Sequence, residues 1–450
     1  MFIPHTEAER KQMLKIIGKE KIDDLFTDVP EQFRFPRLNL PPALNEMQAL
    51  DFINKFANSN YESDNAICFL GAGAYNHYIP AAVDYILRHG EFFTAYTPYQ
   101  SEISQGTLQA IFEFQTLIAK LTGMDLSNAS HYDGATAAAE ACLTAYHYFR
   151  GKKTKFVLSP SLNPQYRATI TTYLSGIKEN LIVGDDPTND PLQSPSILTK
   201  FIDENTSLVI VQYPDFFGRI FDFTQLADIV HEKGALFAVA VNPIALGLLK
   251  PPGDFGADIV VGEGQPLGIP LSFGGPYLGF FAANKKFVRK MSGRLVGETK
   301  DTKGRRGYVL TLTAREQHIR RGKATSNICT NQSLMALAAT VYLSVLGKSG
   351  FHRVSELCYH RAHYAAERIN KVDGYKVLTS SPFFHEFIVK CPKSVNLINK
   401  QLLQEGIIGG YELEKDYPSL KNCMLLAVTE RIEKSHIDLL CKTLEEKRND

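Results

Sequence analysis

Between Thr136 and Ala282, short runs of β-branched and apolar residues alternate with stretches of helical periodicity, and this alternation limits the possible folds more than any other feature of the chain. Strands are expected at 155–158, 181–184, 208–213, 236–241, 258–262 and 277–282, with helices such as 165–174 and 224–232 between most of them. A strand that leaves into a helix rejoins its sheet by crossing over, so the expected fold class is α/β, with a mostly parallel sheet covered on both faces.

Thr6 followed by Glu9 is a capping-box pattern that opens a helix at 7–17; a proline-marked extended stretch at 30–42 and a second helix at 44–58 follow. Residues 1–60 therefore read as an arm, ahead of a large α/β domain at 61–330. The stretch 292–307, rich in Gly, Lys and Arg, reads as a linker. Beyond it, a helix at 333–346 leads to a tail with strands at 385–390 and 424–428, so 331–450 is expected to be a linking helix and a smaller α/β domain.

Composition removes several function classes. The 450 residues are 44% hydrophobic and carry a net charge of +1 with the basic residues dispersed, which leaves no electrostatic footprint for nucleic acid or an anionic membrane. Apolar runs are short and the first residues lack a signal peptide's apolar core, so the expected location is the cytoplasm. Seven cysteines without a CxxC pair are expected as reduced, buried thiols.

Three motifs dissolve on inspection. Gly71-Ala72-Gly73 opens like a dinucleotide fingerprint, but Asn76 stands at the third glycine position and no helix follows cleanly. Gly347-Lys348-Ser349 ends like a phosphate loop, yet it follows a helix and reads as a helix stop. His360 and His363 have no carboxylate or thiol set at zinc spacing, so they read as a surface pair and no metal is expected.

Three others keep two readings each. Asp133-Gly134-Ala135-Thr136 precedes an alanine-rich helix at 137–149; it suits a phosphate held by free amides at a helix N-terminus, and equally an aspartate cap on a tightly packed helix. The proline-braced loop AYTPYQSEISQG at 95–106 carries Tyr96, Tyr99, Glu102 and Gln105, which suit either a cleft or an interface. At 315–323 a charged run reads as a solvated helix, and the Thr325-Ser326-Asn327 turn after it can bind an anion, cap the helix at 333, or both.

Together, IPHTEAER, LNLPPAL, FLGAGAYNHYIP, FTAYTPYQSEISQGTLQAIFEFQ, DGATAAAEA and GRRGYVLTLTAREQHIRRGKATSNICTNQ closely resemble the P-proteins of the glycine cleavage system, and within that family the first subunit of the two-chain glycine dehydrogenase (decarboxylating). The C-terminal region fits more loosely. The resemblance implies pyridoxal phosphate enzyme fold type I: an aspartate aminotransferase-like large domain with a doubly wound sheet, plus a smaller C-terminal α/β domain. It also implies two homologous chain types assembled as α2β2. Their reaction decarboxylates glycine and passes the aminomethyl group to the lipoyl group of H-protein.

In the family's catalytic chain a lysine carries the cofactor, and an aspartate on an earlier strand keeps the pyridine nitrogen protonated so that the ring accepts electrons. The segment GADIVVGEGQPLGIPLSFGGPYLGFFA at 256–282 resembles the lysine-bearing strand and loop, but it contains no lysine, and Gln265 falls at that place. The strand at 236–241 runs into Asn242 with no carboxylate. An amide nitrogen forms no imine, so the resemblance implies that the companion subunit 2 binds pyridoxal phosphate covalently and that the isolated chain is inactive. It further implies that this chain completes the companion's active site. Thr325, Ser326 and Asn327 would face the cofactor phosphate, and Tyr96, Tyr99, Glu102 and Gln105 would line the glycine and lipoyl side. Gly134, Ala135 and Thr136 would remain as a vestigial phosphate loop that starts a helix. Two rival readings are a purely structural scaffold for the companion and an independent pyridoxal phosphate enzyme using Lys285 or Lys286.

Overall fold

The computed structural model describes residues 4–60, 66–177, 181–184, 190–380 and 382–446, with Arg315 described by its backbone only. The chain divides into two units, Met1–Tyr61 and Glu62–Asp450. The sequence boundary between 60 and 61 falls against residues 61–65, outside the described residues. In the first unit, helix Glu7–Ile17 opens with the expected reciprocal bonds between Thr6 and Glu9, and helix Glu46–Ala57 opens with the same device from Asn45 and Gln48. None of its described residues is buried.

The second unit is built on a seven-stranded sheet. Lys155–Leu158, Leu181–Val183, Thr206–Tyr213, Leu236–Val241 and Ile259–Glu263 run parallel; Gly279–Ala283 and then Leu126–Ser127 extend one edge antiparallel. Each strand expected from sequence is present within two residues, and Leu126–Ser127 is an addition. Side chains alternate between two cores, as a strand's twofold period requires. Phe237, Val239 and Val241 point into one core, while Leu236, Ala238 and Ala240 meet the alanine-rich helix Gly134–Tyr148 in the other.

Three expectations are corrected. The stretch read as a linker at 292–307 contains a β-hairpin, Leu295–Lys300 paired with Arg306–Thr311. Its turn is closed by the Asp301 carboxylate, which accepts from the Lys303 and Arg305 N–H groups, with Gly304 at φ 77. The charged run at 315–323 is a chain of single turns, not one solvated helix: Arg321 at φ 51 breaks it, and Glu316 is buried. The boundary at 330/331 does not separate two cores. Helix Ser333–Ile369 continues past Gly347, which leaves helical geometry and makes the expected stop a kink. Ala336–Tyr342 pack in the large core, and Ala362, Ala365 and Ile369 in the small one. This helix is long and apolar enough to cross a membrane by composition, and its apolar residues serve those two cores.

The small domain carries an antiparallel sheet ordered Lys376–Val377, Glu386–Lys390, Cys423–Ala427, Tyr411–Glu412, in agreement with the two tail strands expected. Ile67–Cys68 pairs with Ile407–Ile408 and Phe69 enters the small-domain core, so the start of the segment assigned to the large domain belongs to the small one.

The Gly71–Pro80 segment ties the two domains together. A Cβ on Gly71 would lie 2.4 Å from the Ala427 Cβ, so glycine here allows close packing, not dinucleotide binding. The Glu386 carboxylate accepts from the Ala72 N–H at 2.7 Å and the Tyr75 hydroxyl at 2.8 Å. Glu430 accepts from the Tyr78 N–H and the Cys358 thiol, and it pairs with the His77 ring at 2.7 Å. This His–Cys–Glu trio was not foreseen from spacing. Burial pushes Glu430 up, but the charge and hydrogen bond of His77 and the Tyr78 N–H outweigh it and hold the carboxyl at about 2. A depressed carboxyl stabilises the fold above its unfolded value of 4.5 and loses that contribution as pH falls toward 2. Glu430→Gln should therefore lower stability by about 3 kcal/mol at neutral pH. In urea titrations the gap to the unmodified chain should narrow below pH 4.5.

Candidate functional site

Helix Gly134–Tyr148 begins at the C-terminal edge of the parallel strands, where α/β folds place ligands. Two of its first free N–H groups are already taken. The Asp133 carboxylate accepts from the Thr136 N–H at 2.7 Å, and the Thr136 hydroxyl returns to Asp133. The Gly134 N–H donates to Glu263 at 3.0 Å. Glu263, at the end of its strand, also accepts from the Gln265 and Leu278 N–H groups. Burial pushes the Glu263 carboxyl up to about 7, while these three N–H groups and the helix dipole favour the anion. A carboxylate from the same chain thus engages the Gly134 N–H, one of the donors that a phosphate at this helix start would use. The aspartate cap, one of the two readings of this turn, is present as the Asp133–Thr136 capping box.

Gln265 is 1% exposed, and both its amide N–H donors and its oxygen are engaged. Its oxygen accepts from the Tyr75 N–H, and its nitrogen donates to the carbonyls of Tyr75 and Ile269. Tyr166 closes the other side: a Cβ on Gly134 would lie 1.9 Å from its hydroxyl oxygen. Asn242 follows its strand without a carboxylate, accepting from the Ile244 N–H and facing His385 at 3.4 Å. The space left among Tyr75, Asn163, Tyr166, Asn242 and Glu263 is about 30 Å³. That holds a water molecule, whereas ligand pockets occupy roughly 300–1,000 Å³. This space does not fit pyridoxal phosphate, and the larger cavity of about 420 Å³ that Tyr75 and Gln265 also line is bounded by His77, Pro270 and Arg431 and not by the Gly134 helix start.

The two alternative lysines lie elsewhere. Lys286 pairs with Asp258 at 2.8 Å, before the strand that Glu263 ends, and Lys285 is its exposed neighbour. Five residues at about 3.3 Å each separate Asp258 from Glu263 by roughly 16 Å.

Both loops singled out in the sequence lie on the surface. Tyr96 is 82% exposed, Tyr99 and Glu102 are exposed, and Gln105 anchors the loop's end by bonding both N–H and C=O of Tyr308. In the second loop Asn327 is exposed and Thr325 half-buried. The Ser326 hydroxyl is engaged within the chain, donating to Glu140 at 2.7 Å and accepting from the Ile328 N–H. Glu140 lies six residues beyond Gly134, roughly 9 Å along the helix, so this turn does not enter the chain's own cradle. Burial pushes the Glu140 carboxyl up to about 7.

Sequence reasoning missed the group that joins the loops. Arg294, within the stretch read as a linker, is 3% exposed and donates to the Tyr99 hydroxyl at 2.9 Å beside Glu316 and Asn331. Only the Gly293-Arg294 pair just before an alternating segment hinted at it. Among the half-buried histidines, His363 stacks on Phe383 with ring centroids 3.9 Å apart, whereas His360 is exposed as expected.

Comparison with known proteins agrees with this architecture. The family model for the glycine cleavage system P-protein matches residues 1–444. The "probable glycine dehydrogenase (decarboxylating) subunit 1" of Thermomicrobium roseum is 51% identical over 99% of both chains, and that of Desulforamulus reducens is 52% identical over 98% of this chain and 99% of its own. A crystal structure of glycine decarboxylase (P-protein) in inhibitor-bound form superposes with TM-score 0.90 at 41% identity, over 99% of both chains. At 14% identity, the sphingosine-1-phosphate lyase of Burkholderia pseudomallei shares the fold alone, with TM-score 0.65 over 93% of this chain. The fold is that of the type I pyridoxal phosphate enzymes. The chain belongs to the glycine cleavage system P-protein family.

Proposed function

We propose that this chain is the non-lysine subunit of a two-chain glycine dehydrogenase (decarboxylating), working in the cytoplasm as half of an α2β2 assembly. In that assembly glycine is decarboxylated and its aminomethyl group passes to the lipoyl group of H-protein. Pyridoxal phosphate, held by the companion subunit's lysine, supplies the electron sink for this chemistry. One observation carries the reading: this chain has filled its own cradle with Glu263 and Gln265 while keeping two polar loops on its surface. Its likeness to proteins named as probable subunit 1 of such an enzyme supports it.

The roles that follow are those of a contributing neighbour. Thr325 and Asn327 offer a hydroxyl and an amide to the companion's cofactor phosphate, in a turn whose shape Ser326 holds through Glu140. Tyr96, Tyr99 and Glu102 offer hydroxyls and a carboxylate on the glycine and lipoyl side, and Gln105 pins their loop to the hairpin. Holding donors in place before substrate arrives removes orientational entropy from the reaction, which is how residues that never bond covalently raise a rate.

Borohydride treatment of the isolated chain with pyridoxal phosphate should leave every lysine unlabelled; a pyridoxyl-lysine peptide from this chain would reverse the assignment. Gln265→Lys should remain unlabelled as well, and should destabilise the chain by on the order of 3 kcal/mol, because it buries an ammonium where an amide made three hydrogen bonds. In the assembled enzyme, Thr325→Ala should weaken cofactor retention by roughly 10-fold, the worth of one hydrogen bond to a charged group. Tyr99→Phe should slow glycine turnover. Unchanged retention and turnover in both would instead favour a pure scaffold.

A further inference from the structure

The two surface loops are not independent, and one buried cation explains why. Arg294 follows Gly293, whose φ of 79 and close approach to Asn128 leave no room for a side chain. Its backbone is fixed by the Ala129 N–H donating to its carbonyl at 2.8 Å. From that base the guanidinium reaches Tyr99 in the first loop and Glu316 and Asn331, which flank the Thr325–Asn327 turn. One nitrogen donates to the Tyr99 hydroxyl at 2.9 Å, with the guanidinium carbon 5.3 Å from the ring centre. A second lies 3.5 Å from the Asn331 oxygen, and Nε lies 3.6 Å from the Glu316 carboxylate. His318 completes the group, 3.6 Å from the same carboxylate and edge-on to Tyr99 at 5.6 Å.

As a source of stability this arrangement is poor. Arg294 Nε and Glu316 Oε1 are buried without a hydrogen bond, and a buried ion pair that leaves donors and acceptors unsatisfied gains little over an apolar pair of the same size. Direction is what it supplies: a planar fork with fixed donor angles sets the Tyr99 loop against the 316–331 segment in one arrangement.

We propose that Arg294 is a positioning residue, a latch that with Glu316 holds the Tyr96–Gln105 loop and the Thr325–Asn327 turn as one surface aligned for the companion's active site. This rests on the reading that both loops complete that site. It assigns a task to two residues that touch neither cofactor nor substrate.

Hydrogen exchange on the isolated full-length chain reads the latch directly. Arg294→Met should speed exchange in both 95–105 and 312–331, and Tyr99→Phe, which removes only a hydroxyl at the surface and leaves the core intact, should speed exchange in 312–331. Tyr96→Ala, whose ring is outside the latch, should leave 312–331 unchanged. In the assembled enzyme Arg294→Met should lower kcat about 10-fold or more, as displaced catalytic groups do, and Arg294→Lys should recover little because a point charge cannot replace the fork. Adding Tyr99→Phe to Arg294→Met should have almost no further effect on kcat. The proposal is overturned by exchange that changes in one loop alone, by additive losses in the double variant, or by turnover within twofold of normal. If Arg294→Met is silent while Thr325→Ala is damaging, the latch falls and the interface reading stands; if both are silent, the interface reading falls too.

Discussion

The bond from the Gly134 N–H to the Glu263 carboxylate is the contact on which the rest of this structure depends. A helix N-terminus beside parallel strands exposes free donors and a positive dipole end, and it must be met by an anion, a cap or water. Here the chain supplies the Glu263 carboxyl group. From Glu263 the network runs through the Gln265 N–H to the Gln265 side chain, on to the Tyr75 backbone, and through the Tyr75 hydroxyl to Glu386 of the small domain. Closing the pocket and clasping the two domains are therefore one continuous set of bonds.

This network belongs to the part of the fold that is held without a ligand. The sheet, the helix start and the domain arrangement of a cofactor-binding enzyme persist because they are held by packing and by internal hydrogen bonds that need no ligand. The polar chemistry lies outside the pocket, on loops whose side chains are turned to the surface and whose bases are pinned by Gln105, Ser326 and Arg294. Such a division suits a chain whose contribution is to a neighbour's reaction.

Legibility differed between these parts for physical reasons. The strands at 236–241 and 259–263 could be read because sheets buried on both faces select unbroken apolar runs, a signal local to the strand itself. The capped helix start at Asp133 was half legible: the same four residues suit a phosphate or a cap, and the engagement of the Gly134 N–H by Glu263, 129 residues away in sequence, has no local signal. Charged segments misled most. Lys300, Asp301 and Arg305 read as a linker because a solvent-facing hairpin and a linker share composition. Glu316 read as solvated and Arg294 as part of a linker because nothing local reveals that the two charges will be buried together.

By itself the sequence determined the α/β class, the order of strands along the chain, the absence of lysine at Gln265 and of a carboxylate at Asn242, and the family. These follow from local periodicity and residue chemistry. Tertiary structure alone decided that Glu263 engages the Gly134 N–H, that helix Ser333–Ile369 serves two cores, and that Arg294 joins the two loops. Each of these depends on groups distant in sequence meeting in space, and hydrogen-bond geometry, burial and dielectric at such a meeting point exist only once the chain has folded.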